Sequence, residues 1–344
     1  MEKSAQEVVL TVSSSPHVRC NESIPKIMWT VVATLVPAAA FGVYYFGFNA
    51  LLNIIVSIVS AVFFEWAWEK FMHKKITIND GSAVITGLLL AMCCSPILPW
   101  WMCIVGSFIA IVVCKQAMGG LGYNLFNPAH VGRAGLMVSW PVAMTTWTQV
   151  NGSVIDGVAG ATPLNVLKQS GYDALLQLFN NDPMTMYQNM FIGFRNGSMG
   201  ETSTVLLILG GLFLMYKGYV KWQATVAMIA TVGILMWVFG GAVGAHATGG
   251  LFTGDPIFHM MAGGLIIGAF FMSTDMVTAP ITLKGQLIFA VGAGVLTVLI
   301  RLLGGYPEGV CYSILLMNAV TPLIDLTVKP RIFGSVKVKA KEAE

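Results

Sequence analysis

Residues 258–280, FHMMAGGLIIGAFFMSTDMVTAP, decide how the chain is read. The first fifteen, to Met272, are apolar enough to enter a bilayer. Residues 273–280 then close the run with hydroxyls, the carboxylate of Asp275 and a proline. A second stretch, residues 82–99 (SAVITGLLLAMCCSPILP), has the same rhythm. One follows Asp80, carries Gly87-Leu88-Leu89-Leu90 and is cut short by Ser95-Pro96; the other follows Asp255, carries Gly264-Leu265-Ile266-Ile267 and is cut short after Met272. The next apolar runs end in a basic residue followed by Gly-Gly, Lys115 before Gly119-Gly120 and Arg301 before Gly304-Gly305. The runs after those carry an Asn ahead of a Pro, Asn127-Pro128 in one and Asn318 four residues before Pro322 in the other.

Working outward, runs of about 17–25 apolar residues mark membrane spans. Ten are expected, at 26–46, 50–69, 82–98, 100–116, 126–146, 202–217, 222–244, 258–275, 284–304 and 310–328. Five spans separate the matching stretches, and an odd offset puts the two halves in opposite orientations, an inverted repeat. Short, proline-interrupted segments at equivalent places in such halves point to a site near the bilayer midplane. The expected fold is therefore all-α and polytopic, with about ten transmembrane helices in two inverted five-helix repeats. Composition agrees: 10% of the 344 residues are charged and 56% hydrophobic, whereas a soluble globular protein carries about 25% charged residues.

Charge sets the orientation. Fifteen of the nineteen Lys and Arg residues fall on one side if both termini share it, which the positive-inside rule makes the cytoplasm. Only Lys168 and Arg195 lie in loops on the other side, with Arg133 and Arg301 inside spans. The segments are then a cytoplasmic N-terminal stretch (1–25), a first membrane half (26–146), an outer-face loop (147–201), a second membrane half (202–328) and a basic cytoplasmic tail (329–344). The first 25 residues lack the pattern of a cleaved signal peptide. The six cysteines show no C-x-x-C or Cys/His metal spacing, and four of them, between Cys93 and Cys114, read as small buried hydrophobes. No metal site and no nucleic-acid partner are expected, since the basic residues sit at segment ends.

The outer loop holds DGVAGATPL, residues 156–164. Gly160 and Ala161 leave the hydroxyl of Thr162 sterically bare, as a modifying enzyme attaching a bulky group requires, and Pro163 fixes the backbone after it. The local alternative is a helix start, with Thr162 as N-cap and Pro163 in the first helical position. Residues 126–133, FNPAHVGR, open a span with Asn127 as N-cap, whose free N–H groups favour an anion. Arg133 lies one turn inside and needs a partner, either a phosphate or carboxylate ligand or a carboxylate of the chain. Residues 197–203, GSMGETS, with Gly200 and Glu201, are either a capped helix start or part of an outer-face cofactor wall. Asp275, Asp325 and Asn318, whose carbonyl Pro322 frees, are candidates for an ion pathway. Glu65, beside Trp66 and Trp68, is expected to anchor at the interface. No catalytic residue is expected: neither His130 nor His246 has a nucleophile or carboxylate at a useful helical offset.

Six stretches together, residues 15–19 (SPHVR), 126–133, 156–164, 197–203, 273–280 and 304–325 (GGYPEGVCYSILLMNAVTPLID), resemble the RnfD and NqrB family of membrane subunits in the family's order. The resemblance implies FMN attached through a phosphoester to the Thr162 hydroxyl by a flavin transferase. Ala159 departs from it, standing where the acceptor pattern commonly has Ser, Thr or Asp. It further implies electron transfer between ferredoxin and NAD+ coupled to Na+ or H+ translocation, and a second, non-covalent flavin such as riboflavin. The implied partners are the other Rnf subunits, including an outer-face flavoprotein. The chain has neither cysteine clusters for iron–sulfur centres nor a dinucleotide-binding fingerprint after a strand, so it can only be an intermediate carrier. The competing reading is a stand-alone channel of urea- or ammonium-channel type, which would need no Gly-Ala-Thr acceptor.

Overall fold

The computed structural model describes residues 22–147, 161–243, 249–306 and 308–330. Among them every regular element is helical and none is a strand. Gly160, His246 and most of the terminal segments 1–25 and 329–344 lie outside the described residues.

The first half runs α1 (Ile24–Phe46), α2 (Phe48–Phe71), α3 (Ser82–Met92), α4 (Trp100–Phe108), α5 (Pro128–Ser139) and α6 (Pro141–Thr145). Beyond Phe108, α4 widens into a π-helical stretch, Ile109–Gln116. Between the halves lie α7 (Pro163–Gln177) and α8 (Pro183–Ile192). The second half runs α9 (Thr204–Tyr216), α10 (Trp222–Phe239), α11 (Pro256–Met261), α12 (Leu265–Ile267, continued by a π-helical stretch, Gly268–Met272), α13 (Leu283–Leu303) and α14 (Val310–Thr327). Five helices, α1, α2, α10, α13 and α14, are long and apolar enough to cross a membrane, and α3, α4 with its extension, and α9 are shorter apolar helices. A multi-pass membrane protein is what such helices make.

The two proline-interrupted stretches are not continuous spans. Residues 82–98 form only the eleven-residue α3 before the chain leaves helical geometry at Cys93. Eleven residues rise about 16 Å, half a hydrocarbon core. Residues 258–275 divide into α11, a break at 262–264 and α12 with its π-helical extension. Gly263 and Gly264, at φ +67° and +64°, make the second break, a left-handed geometry that a side chain would strain. Residues 126–146 also divide, at Trp140-Pro141, where proline cannot continue the hydrogen-bond ladder.

One end of the bundle, here called the Lys end, collects the start of α1, the turn between α9 and α10, and the turn leading into α13. Tyr219 donates to Glu22 there (2.6 Å), and the Ile281 N–H to Asp325 Oδ1 (3.2 Å). Glu65 belongs near this end, but not as an interfacial anchor: it is buried. Its carboxylate accepts from Lys115 Nζ (2.6 Å) and Gln116 Nε2 (2.9 Å), because α4 packs on α2 and turns both side chains inward. Lys115 is 1% exposed and also donates to Ser82 Oγ (2.6 Å). At the opposite end Leu164 and Leu175 of α7, Met186 and Met190 of α8, and Phe258 of α11 form a separate apolar cluster. It seats α7 and α8 over the second break.

Candidate functional site

The two breaks face each other across residues 197–203. A Cβ on Gly200 would lie 2.9 Å from Met92 O at the end of α3 and 2.8 Å from Ile267 Cδ1 in α12, so this glycine admits both. The first break is held by neutral groups. Asn53 on α2 donates through Nδ2 to Pro96 O (3.1 Å) and Leu98 O (2.9 Å), and Ser95 Oγ donates to Thr146 O (2.7 Å).

The second break is held by two guanidinium groups. Arg301, in the last turn of α13, donates to His259 O and Ala262 O (both 2.7 Å). Arg195 donates to Met261 O (2.7 Å) and, through Nε and Nη2, to Glu201 O (3.0 and 2.5 Å). Three carbonyls that a broken helix leaves without partners are thus bonded to fixed cations. Glu201 accepts from Ser198 Oγ (2.8 Å) and stands beside Gly264. Arg133 of α5 pairs with Glu308, just ahead of α14, and both side chains are nine-tenths buried or more. Arg133, Arg195, Arg301, Glu201 and Glu308 are close enough to act on one another electrostatically. Three cations against two carboxylates leave the group net positive even with both carboxylates ionised, so a further anion nearby is favoured.

Thr162 lies above this group. It is the N-cap of α7, its Oγ1 accepting from the Asn165 N–H (3.2 Å), and Pro163 takes the first helical position. The helix-start alternative is therefore realised, and the expectation of a bare hydroxyl is corrected: Thr162 is 2% exposed, its oxygen turned into the cap. Two residues on, Leu164 approaches Gly263 on the side where a Cβ would also meet Arg301 Nη2 at 3.0 Å. The N-terminus of α7, with its free N–H groups and positive dipole end, thus stands over the arginine-clamped break. One turn further, Lys168 donates to Gly304 O and Tyr306 O, and burial pulls its ammonium below the usual lysine range. Ala161 is half-buried beside Thr162.

The remaining expected residues distribute as follows. Gly200 and Glu201 belong to this site, with Ser203 supplying the helix cap of α9. Arg133 reaches it with a carboxylate of the chain as partner. Asn127 caps α5 through Oδ1, to the Ala129 N–H (3.1 Å) and His130 N–H (3.4 Å), but lines a different cavity, at the Lys end, with Lys115, Asn124, Phe270 and Asp275. Asp275 accepts from the Val277 N–H (3.3 Å) and Thr278 Oγ1 (3.2 Å). Asn318 is fully buried in α14, with neither amide atom partnered. No hydrogen bond joins Asp275, Asp325 and Asn318 to one another among the described residues. Sequence reasoning misses Arg195 and Arg301. Each is a lone cation in an apolar or Gly-rich setting, a signal that is visible but has no partner to attach to.

Residues 11–334 match the family described as NQR2, RnfD, RnfE. The chain is 63% identical over 327 residues to a subunit of the proton-translocating ferredoxin:NAD(+) oxidoreductase complex of Clostridium ljungdahlii, covering 95% of this chain and 97% of that one. It is 43% identical over 340 residues to a subunit of the Na(+)-translocating ferredoxin:NAD(+) oxidoreductase complex of Acetobacterium woodii, covering 98% and 99%. It is 38% identical over 338 residues to a subunit of the ion-translocating oxidoreductase complex of Stutzerimonas stutzeri, covering 91% and 93%.

Proposed function

This chain belongs to the NQR2, RnfD, RnfE family, and from that premise we propose that it carries electrons through an FMN held by a phosphoester on Thr162. It is a subunit of an ion-translocating ferredoxin:NAD+ oxidoreductase complex, which sets aside the stand-alone channel. The observation that carries the proposal is the standing of α7's N-terminus over the break clamped by Arg195 and Arg301. A phosphate diester at Thr162 keeps one negative charge, and these residues offer it N–H groups, a helix dipole and a net positive base. When bound, the flavin supplies the ability to accept and pass on single electrons. The chain's part is to fix the phosphate and exclude water. Attachment requires Oγ1 to swing out of its cap, after which a phosphate oxygen can accept the Asn165 N–H in its place. The reading extends to a second, non-covalent flavin such as riboflavin, to which no residue is assigned.

The Lys and Arg distribution supports placing the Lys end in the cytoplasm and the Thr162 loop on the periplasmic or extracellular face of a bacterial inner membrane. There the flavin would meet an outer-face flavoprotein subunit, once a flavin transferase has installed it. The order of elements on either side of α7 and α8, with a short broken helix, α3 and α11–α12, as the third element of the first half and the third of the second, supports an inverted repeat of the two halves. Ion movement is coupled to the electron transfer, and Asp275, Asp325 and Asn318 stay the candidates on this chain. The 63% identity to a relative named for proton translocation favours H+ over Na+. The test is flavin fluorescence in a denaturing gel after co-expression with a flavin transferase. We expect a fluorescent band that disappears in Thr162→Ala; a dark wild type beside a fluorescent control acceptor would sink the proposal.

A further inference from the structure

Thr162 is the acceptor proposed for the flavin, yet no enzyme can reach it as it is packed here. It is 2% exposed, its hydroxyl accepts within the helix cap, and Pro163 and Leu164 after it are buried. Turning the side chain frees Oγ1 from the Asn165 N–H but leaves those two residues seated over the second break. A transferase has to draw the acceptor into its own active site, so that the oxygen meets a flavin phosphate in line with the leaving group. The backbone that carries Thr162 must therefore lift.

Gly171 provides a hinge. At φ +85° it leaves helical geometry and divides α7 into residues 163–170 and 172–177, a conformation that a side chain would strain. The second piece is tied to α8. Leu175 is fully buried in the apolar cluster with Met186 and Met190, and Leu176 O accepts from the Phe179 and Asn181 N–H groups (both 2.9 Å). α8 in turn packs closely on α9 and α11, whereas among the described residues no helix packs closely along α7. The first piece is held by less. Leu164 enters the cluster, Val166 and Leu167 only border it, and Lys168 latches the piece to Gly304 O and Tyr306 O. Few buried apolar contacts mark a segment that opens locally.

Charge works against this seat until the flavin is attached. The positive end of the α7 dipole stands over Arg133, Arg195 and Arg301, which outnumber Glu201 and Glu308, so like faces like. A phosphate diester on Thr162 puts a negative charge between the two and turns repulsion into attraction. We propose that residues 163–170 are a lid, hinged at Gly171 and latched by Lys168, which a flavin transferase meets open and which the attached phosphate closes. In the open form Thr162 Oγ1 attacks the flavin-side phosphorus of a flavin dinucleotide. The new P–O bond replaces the anhydride bond, the nucleoside monophosphate leaves, and the hydroxyl proton passes to a base of the transferase. No electron is exchanged. This rests on the reading of Thr162 as the acceptor.

The test is hydrogen exchange of the whole complex, prepared with and without a flavin transferase. Without it, amides of residues 164–170 should open together and be less protected than those of residues 173–177. Lys168→Met should lower protection of the first set about tenfold, the worth of one hydrogen bond from a charged donor, and leave the second set unchanged. Purified transferase and a flavin dinucleotide, added to the folded complex, should load Lys168→Met about tenfold faster than wild type, since loading follows the open fraction. Once loaded, the wild type should gain protection at residues 164–170 alone. Equal protection of the two pieces, equal loading rates, or no gain on loading each overturn the proposal. If Lys168→Met does not assemble, the wild-type exchange pattern with and without flavin decides. A chain that stays dark in a denaturing gel even after co-expression fails the Thr162 reading. One that loads during co-expression but opens uniformly fails the lid alone.

Discussion

The two breaks solve one problem with different chemistry. Each interrupts a helix inside an apolar bundle and strands carbonyls that need donors. At the first break the donor is one carboxamide, Asn53, serving Pro96 and Leu98. At the second it is two guanidiniums, Arg195 and Arg301, serving His259, Met261 and Ala262. A neutral amide satisfies the carbonyls and adds no field. Two cations satisfy them and leave positive charge behind, which is costly unless an anion uses it. The neutral solution sits at the first break and the charged one sits beneath Thr162. Under the proposed function, the charge at the second break serves phosphate binding as well as folding.

The largest effect should follow removal of one clamp. Arg301→Met strands His259 O and Ala262 O, each losing a charge-assisted bond of about 1.5–3 kcal/mol, or about 3–6 kcal/mol together. Thermal unfolding of the detergent-solubilised chain should show that loss, and flavin loading should fail with it. Arg301→Lys, reaching one carbonyl as a point charge, should recover part of the stability and most of the loading. If Arg301→Met loads flavin normally, the charge at the second break has no part in phosphate binding.

The same operation at the first break should cost less. Asn53→Leu leaves Pro96 O and Leu98 O without their donor, about 1–3 kcal/mol. Flavin loading should persist in whatever fraction folds. Loading lost in Asn53→Leu at unchanged stability would show that the breaks are not functionally distinct.

Much of this contrast is legible in the sequence and part is not. The apolar runs, the two interrupted segments and the Thr162-Pro163 helix start follow from local pattern, and α7 begins where that pattern puts it. Residues 82–98 read as one span because hydropathy does not register whether Cys93–Pro99 is helical; only the stranded carbonyls and their donor on α2 reveal it. Arg301 reads as a cation inside a span without a role, because its partners are carbonyls about forty residues away that carry no side-chain signature. Glu65 reads as an interfacial anchor because its partner, Lys115, stands fifty residues on and counts in the sequence as a loop charge.

A smaller effect is expected at a helix cap outside the proposed flavin site. Asp182 caps α8 with Oδ1 and Oδ2 on the Met184 and Thr185 N–H groups (both 3.1 Å). The Thr185 hydroxyl and those N–H groups hold its carboxyl below the ordinary aspartate range. A depressed folded-state pKa contributes stability above the unfolded value of 3.8 that is lost as pH falls through the folded one. The protection factors of amides at the start of α8, rates divided out by the intrinsic exchange rate at each pH, should therefore fall below about pH 4 and stay flat above it. Exposed as this carboxylate is, the effect should be confined to α8, leaving flavin loading untouched.

The smallest effect on stability falls at Thr162, the proposed acceptor. Asparagine caps helices as well as threonine does, so Thr162→Asn should change unfolding by no more than a few tenths of a kcal/mol. Thr162→Ala, which loses the bond to the Asn165 N–H, should cost about 0.5–2 kcal/mol. Neither variant offers a hydroxyl for a phosphoester, and both should be dark in a denaturing gel. Thr162→Ser keeps both the cap and the hydroxyl and should fluoresce. The asparagine variant thus separates the cap from the proposed attachment: a stable, dark protein, beside a fluorescent Thr162→Ser, identifies the hydroxyl as the acceptor and not merely the cap. A fluorescent Thr162→Asn would move the flavin to another residue, and the charge under α7 would then need a different anion to explain it.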